Sequence, residues 1–235
     1  MIDPASRPLV IVCAGGFASE LASYVHSLQV DGEPMYVRGF VDDHRFESSF
    51  EGAPLLGGIN ELGIYLAAHP DEAFWYVAAV GDNRTRAEVV RRVERLSARN
   101  LQPVTIRHST AVIGADAEIG VGTCIGPGAI VTAHVRIGDY GIINTNSSTS
   151  HGSSLGSYVH VAPGASICSG VTIEEGCYVG AGATVSDDVM VGAWSVIGAG
   201  SVVTENVPAR VTVMGAPARI VQRHGRSPRL PMLAG

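Results

Sequence analysis

The chain has 235 residues, 46% of them apolar and 16% charged, with a net charge of −6. Those proportions describe a globular chain long enough for one large core or two smaller ones, and two domains are the expectation. The acidic balance, with no Lys/Arg run and no interleaving of basic and aromatic residues, excludes nucleic acid and an anionic membrane as expected partners, which leaves a small molecule. After Arg7 the apolar run over 9–13 is too short for a signal peptide or a membrane span, so a cytoplasmic location is expected. Cys13, Cys124, Cys168 and Cys177 show no paired spacing and read as reduced, mostly structural residues.

In chain order, residues 1–106 read as a βαβαβαβ unit and therefore as a small Rossmann-like parallel sheet. A strand over 9–13 runs into the turn Ala14, Gly15, Gly16 and a helix over 19–28. A second strand over 37–41 ends in Asp42 and Asp43. A helix over 59–68 leads to a third strand over 74–80, which Gly81 follows. The next helix, over 84–99, turns Ala87, Val90 and Leu96 inward and six arginines elsewhere, and a last strand is expected over 104–106. In such sheets ligands bind beyond the carboxyl ends of the strands, so the turns at Ala14–Gly16, Asp42–Asp43 and Gly81 converge on one crevice. Ala14, Phe17 and Ala18 break the glycine fingerprint of a dinucleotide site, which disfavours NAD. A nucleotide-sugar fits the shorter turn, with its diphosphate at a helix N-terminus and an aspartate on base or ribose.

From Ile113 the pattern changes to a strict period of six. Aliphatic residues stand at every sixth position from Ile113 to Val203, and Thr149 alone breaks the series. Four positions after each comes a small or compact residue, as at Ala117, Ala129, Ser153, Cys177 and Ser195. A period of six with β-branched residues fits neither a helix nor one alternating strand. It fits short strands separated by turns and stacked about 4.8 Å apart. A β-sandwich would space its strands less regularly.

This hexad pattern, with the closing segment Val213, Gly215, Pro217, Ala218, Arg219, resembles the hexapeptide-repeat acyltransferases. Their three hexads make one coil of a left-handed parallel β-helix, and the handedness comes from that resemblance. The division is then 1–106 for nucleotide-sugar binding, 107–221 for the β-helix, and 222–235 as a flexible tail containing Arg226, Pro228 and Pro231. Eighteen residues per coil place Ala133, His151 and Ser169 in one column, and Ile142, His160 and Tyr178 in another.

The two halves together resemble the NeuD/PglD-like sugar acyltransferases. The resemblance implies transfer of acetyl from acetyl-CoA to the amine of a nucleotide-linked amino sugar, or to a hydroxyl of a sialic-acid-type sugar. It also implies a homotrimer with the active site between adjacent subunits. On this sequence the family's sugar-nucleotide contacts fall on Ala14, Gly15, Gly16, Asp42, Asp43 and Gly81, with Asn144 added as a substrate contact. Its general base falls on His151, and its acetyl-CoA contacts on His160, Ala181 and Ala199. An imidazole, with an ordinary pKa of about 6.5, can accept the proton that a sugar amine sheds as it attacks a thioester. The backbone amide of Ser169, one coil above His151, is the expected oxyanion donor.

Direct transfer is expected, with Cys168 as the competing nucleophile. Relatives often carry a carboxylate directly after the catalytic histidine, and here that residue is Gly152. A backbone carbonyl, Asn144 or Asn146 would have to orient the imidazole instead, and a non-catalytic sugar-nucleotide binder stays a second reading. Phe17 stands where relatives often carry His. His134, His151 and His160 lie in different hexad positions without metal-site spacing, so no metal is expected.

Overall fold

The computed structural model describes residues 7–29 and 35–225. In the first of these segments Leu9, Val10, Ile11 and Val12 are all buried, as a parallel strand covered on both faces requires. This strand, β1 (Arg7–Val12), lies inside a four-stranded parallel sheet with β2 (Met35–Val41), β3 (Phe74–Ala78) and β4 (Leu101–Pro103). The spatial order is 2-1-3-4, so the chain reverses direction across the sheet between β1 and β3. Three helices connect the strands: α1 (Gly16–Ser23), α2 (Ile59–Ala68) and α3 (Asn83–Glu94).

Two helices and the last strand differ from the sequence reading. α1 begins at the glycine turn itself and ends early, because residues 28–29 pair antiparallel with Arg107 and His108. α3 stops near Arg95, and Ser97 follows with a left-handed φ of 51°. The fourth strand is Leu101–Pro103 in place of 104–106. Proline lacks a ladder N–H and is tolerated here because β4 is the edge strand. Ile106–His108 already belongs to the second domain, pairing with the strand Cys124–Ile125.

That second domain is a left-handed parallel β-helix. Two-residue strands recur every six positions and pair with the strand eighteen residues on, as Ile142 with His160 and His160 with Tyr178. Three faces result. Face one carries Cys124, Ile142, His160, Tyr178 and Val196; face two carries Val112, Ile130, Ser148, Ser166, Thr184 and Val202; face three carries Glu118, Arg136, Ser154, Thr172 and Met190. Every sixth-position aliphatic from Ile125 to Val203 is buried. The small residues four positions later are buried too, so both series fill the prism as the repeat requires. Inward hydroxyls are satisfied by turn carbonyls: Thr123 by Gly138, Ser147 by Asn144, Ser153 by Cys168 and Ser195 by Pro208. Thr149 is the exception, fully buried with no partner for its Oγ1.

Residues of the helix expected to face solvent instead join the two domains. Arg86 is 1% exposed, against the sequence reading that turned all six arginines away from the core. Its five N–H donors meet five acceptors. Nε donates to Tyr140 O at 2.9 Å, one terminal nitrogen to Val80 O and Gly81 O, and the other to Asn83 Oδ1 and Tyr158 O. Asn83 Nδ2 continues the series to Gly176 O and Cys177 O. Tyr140, Tyr158 and Gly176 stand eighteen residues apart, so one helical turn of α3 caps the same corner of three successive coils. Around this clamp, Leu9, Ile11 and Ala79 of the sheet domain pack with Ile106, Cys124 and Ile142. The sheet domain therefore covers face one.

At the far end the strands Val211–Gly215 and Ala218–Arg223 close the prism as an antiparallel hairpin. Gln222 and Arg223, expected in the flexible tail, pair with Thr212 and Val211. Arg226, Pro228 and Pro231 lie outside the described residues.

Replacing the unpartnered Thr149 hydroxyl by a methyl, Thr149→Val, removes a buried polar group without changing shape. Urea unfolding should show the variant more stable by about 1–2 kcal/mol. Arg86→Ala leaves several buried carbonyls unpaired and should cost about 3–5 kcal/mol in the same measurement. Arg86→Lys, with three donors for five acceptors, should recover only part of it.

Candidate active site

The crevice is built where β1, β2 and β3 end. Gly15 caps the N-terminus of α1 through no side chain, and a Cβ at Gly15, Gly16 or Gly81 would meet nothing within 4 Å. Open space beside the N–H groups of a helix terminus suits an anionic ligand. Asp42 Oδ2 accepts from the Ala14 amide at 2.8 Å and Oδ1 from the His44 amide, which ties the first turn to the second. Asp43 is already engaged: it accepts from the Ile59 amide at the start of α2 and pairs with Arg92 of α3 at 2.5 Å. The Arg92 hydrogen bond holds the Asp43 carboxyl below the usual carboxylate range. Both carboxylates thus build the crevice, and Asp43 is committed to it on both oxygens.

Beside them a cleft of about 370 Å³ runs past Asp42, Glu61 and Phe46, and the Phe46 ring is 93% exposed there. Cys13 enters the first turn with a φ of 76°, a conformation costly for any residue but glycine. Its amide is held by Val41 O, and burial with Asp42 nearby pushes its thiol up to about 12.

His160 connects this crevice to face one. Its Nδ1 donates to Gly81 O at 3.0 Å and its ring meets Tyr178 edge-on, so the third turn is pinned to the β-helix. The ring is 8% exposed and its Nε2 is buried without a partner. Asn144 also sits here, against Phe17 and Ile142, with its Oδ1 accepting from the Thr145 amide. Ala181 and Ala199 are exposed at the neighbouring corner between faces one and two, stacked above Thr145 and Pro163.

His151 lies elsewhere. It is exposed at the corner between faces two and three, in the column Ala133, His151, Ser169, Asp187. That corner is the vertex opposite face one, the face that the sheet domain covers. Within one chain, then, the residues expected to hold the sugar nucleotide, with Asn144, His160, Ala181 and Ala199, gather on one side, and His151 with Ser169 stands on the other. Asn144 and Asn146, expected as supports for the imidazole, belong to the wrong corner. Ser169 takes that place, with Oγ 3.0 Å from His151 Nε2.

The Ser169 amide, expected as oxyanion donor, is taken by Asp187 Oδ1 at 2.8 Å, so an incoming carbonyl would have to displace a carboxylate. Burial and the Asp187 charge both raise the Cys168 thiol above its ordinary value, which works against a thiolate nucleophile. Among the described residues no group of three or more His, Cys, Asp or Glu could hold a metal ion. Sequence reasoning missed Asp187, although coil arithmetic puts it two coils above His151. It missed Arg86 too, although Asn83, Arg86, Ala87, Val90 and Val93 form one inward stripe of α3.

The comparisons with known proteins divide at the same place as the fold. A profile for the PglD N-terminal domain matches residues 8–93, and one for the bacterial transferase hexapeptide (six repeats) matches 152–187 and 170–205. No curated protein sequence matches the chain. Among solved structures, a histidine-to-asparagine mutant of perosamine N-acetyltransferase from Caulobacter crescentus, in complex with CoA and GDP-perosamine, is 28% identical with a TM-score of 0.80, over 91% of this chain and 96% of that one. The acetyltransferase domain of PglB from Neisseria gonorrhoeae, in complex with acetyl coenzyme A, is 28% identical with a TM-score of 0.80, over 92% and 100%. WeeI from Acinetobacter baumannii is 28% identical with a TM-score of 0.78, again over 92% and 100%. The likeness spans both domains and their junction. A sheet domain docked on a hexad prism, together with these matches, is the architecture of a hexapeptide-repeat acyltransferase. More particularly, the chain resembles the NeuD/PglD-like acyltransferases over both domains.

Burial, and then the Arg86 charge, lower the His160 pKa from 6.5 to about 4. The unfolded chain therefore binds the extra proton between those values. Stability should be complete above pH 6.5 and should fall as pH drops towards 4, by about 3 kcal/mol. In urea unfolding across that range the difference between the protein and His160→Phe should carry this slope, with the variant the flatter of the two.

Proposed function

We propose that the protein transfers acetyl from acetyl-CoA directly to the amine of a nucleotide-linked amino sugar, with His151 as general base. The observation that carries the reading is the clamped two-domain likeness to enzymes solved with CoA, acetyl-CoA and GDP-perosamine. The open glycine turns at Gly15, Gly16 and Gly81 would take the diphosphate, and the cleft beside Asp42 and Phe46 the base. The exposed stripe of Thr145, Pro163, Ala181 and Ala199 offers a slender acyl donor a smooth wall, and a Cβ at Gly164, Gly182 or Gly200 would meet nothing within 4 Å. His160 could reach the donor only through its buried Nε2, since Nδ1 is held by Gly81.

In the reaction the sugar nitrogen attacks the thioester carbonyl carbon. The C–N bond forms, the C–S bond breaks and CoA leaves as the thiol. The proton shed by nitrogen passes to His151. Since His151 lies on the vertex away from the crevice of its own chain, the reading requires a second copy, with His151 of one chain facing the crevice of the next. A homotrimer closes such contacts.

Incubating the protein with acetyl-CoA and UDP-, GDP- and dTDP-linked amino sugars, while following thiol release, tests this reading. One sugar should give steady release, and His151→Ala should lower kcat by about 10²–10⁴-fold with little change in KM. Release no faster than background with every sugar, or an unchanged rate in His151→Ala, would contradict it.

A further inference from the structure

Gly152, directly after His151, brings no side chain to the imidazole. A Cβ on Gly152 would meet nothing closer than the Gly170 amide at 4.0 Å, so that space is open. The support comes from the next coil. Ser169 Oγ lies 3.0 Å from His151 Nε2 and is the hydrogen-bond partner of the imidazole among the described residues. Ser169 is itself held from above, its amide donating to Asp187 Oδ1 at 2.8 Å. From below, the Gly170 amide donates to His151 O at 3.1 Å, which fixes the spacing of the two coils. His151, Ser169 and Asp187 are thus three successive members of one corner column, each tied to the next.

A serine hydroxyl can donate to an imidazole nitrogen or accept from it. If it donated to Nε2, the ring proton would sit on Nδ1 and neither nitrogen would be free to take a proton from substrate. A base at this position needs the other arrangement, in which Nε2–H donates to Ser169 Oγ and the Nδ1 lone pair faces outward. Resting on the proposed acetyl transfer, we infer that Ser169 is the positioning residue of His151, selecting the Nε2–H tautomer so that Nδ1 is the basic atom. Asp187 anchors the serine that does so. This is a role for the Ser169 hydroxyl, distinct from the oxyanion role expected of its amide, and it explains how the imidazole keeps its orientation with glycine at 152. The ring must present one defined nitrogen to the substrate, and a hydrogen bond on the other is the usual way to set the tautomer.

The test uses the intact protein with ¹⁵N-labelled histidine, reading the His151 ring shifts at neutral pH beside steady-state kinetics. The protein should show the Nε2–H tautomer. Ser169→Ala should show a mixture of tautomers and a kcat about 10- to 100-fold lower at nearly constant KM for both substrates. Ser169→Thr, which keeps the hydroxyl, should retain the tautomer and most of the rate. The inference fails if Ser169→Ala, folded as judged by circular dichroism, keeps the tautomer of the parent, or if the tautomer changes and kcat does not. Failure of the function reading is distinguishable: the parent protein would then transfer no acetyl to any sugar, while the ring shifts would still decide the contact between Ser169 and His151.

Discussion

One buried guanidinium holds the molecule in its working form. Arg86 spends its hydrogen bonds on no carboxylate, yet all five donors are matched, and its acceptors come from both domains: Val80, Gly81 and Asn83 on the sheet side, Tyr140 and Tyr158 on the β-helix. Desolvation lowers its pKa to about 10, still well above neutrality, so the group remains charged. A charge this deep is tolerable only while every donor is matched. The clamp therefore admits one docking arrangement, and that arrangement sets where the Gly81 turn lies against His160.

The β-helix contributes a ruler to this arrangement. A strict eighteen-residue coil converts sequence separation into position, so residues that share a column act together and residues on different corners do not. By that ruler the crevice and the His151 corner are on opposite sides of one prism. Under the proposed acetyl transfer, binding and proton transfer are divided between surfaces that a second copy would bring together.

Most of the fold was legible because its signals are periodic. The hexad register from Ile113 to Val203 gave the faces, the corners and the inward residues, and the glycine and aspartate turns gave the sheet domain and its crevice. The illegible parts depend on contacts between distant segments. Residues 28–29 leave the helix because Arg107 and His108 offer a strand to pair with, and nothing local announces that. Arg86 looks like a solvent-facing residue until α3 is placed on the corner that carries Tyr140 and Tyr158. Ser169 was chosen by coil arithmetic, but a column position alone does not say whether its amide or its hydroxyl is available, and Asp187 decides that.

The central claim is that the crevice of one chain works with His151 of another. Co-refolding two inactive chains tests it most directly, one carrying His151→Ala and the other Gly15→Trp, which fills the open first turn. If base and crevice come from different chains, the mixture should regain part of the parent activity, because some assemblies unite an intact crevice with an intact His151. If both functions reside in one chain, each mixed assembly still contains only defective sites. Activity no higher than that of either variant alone, with the mixed assemblies present, would contradict the account.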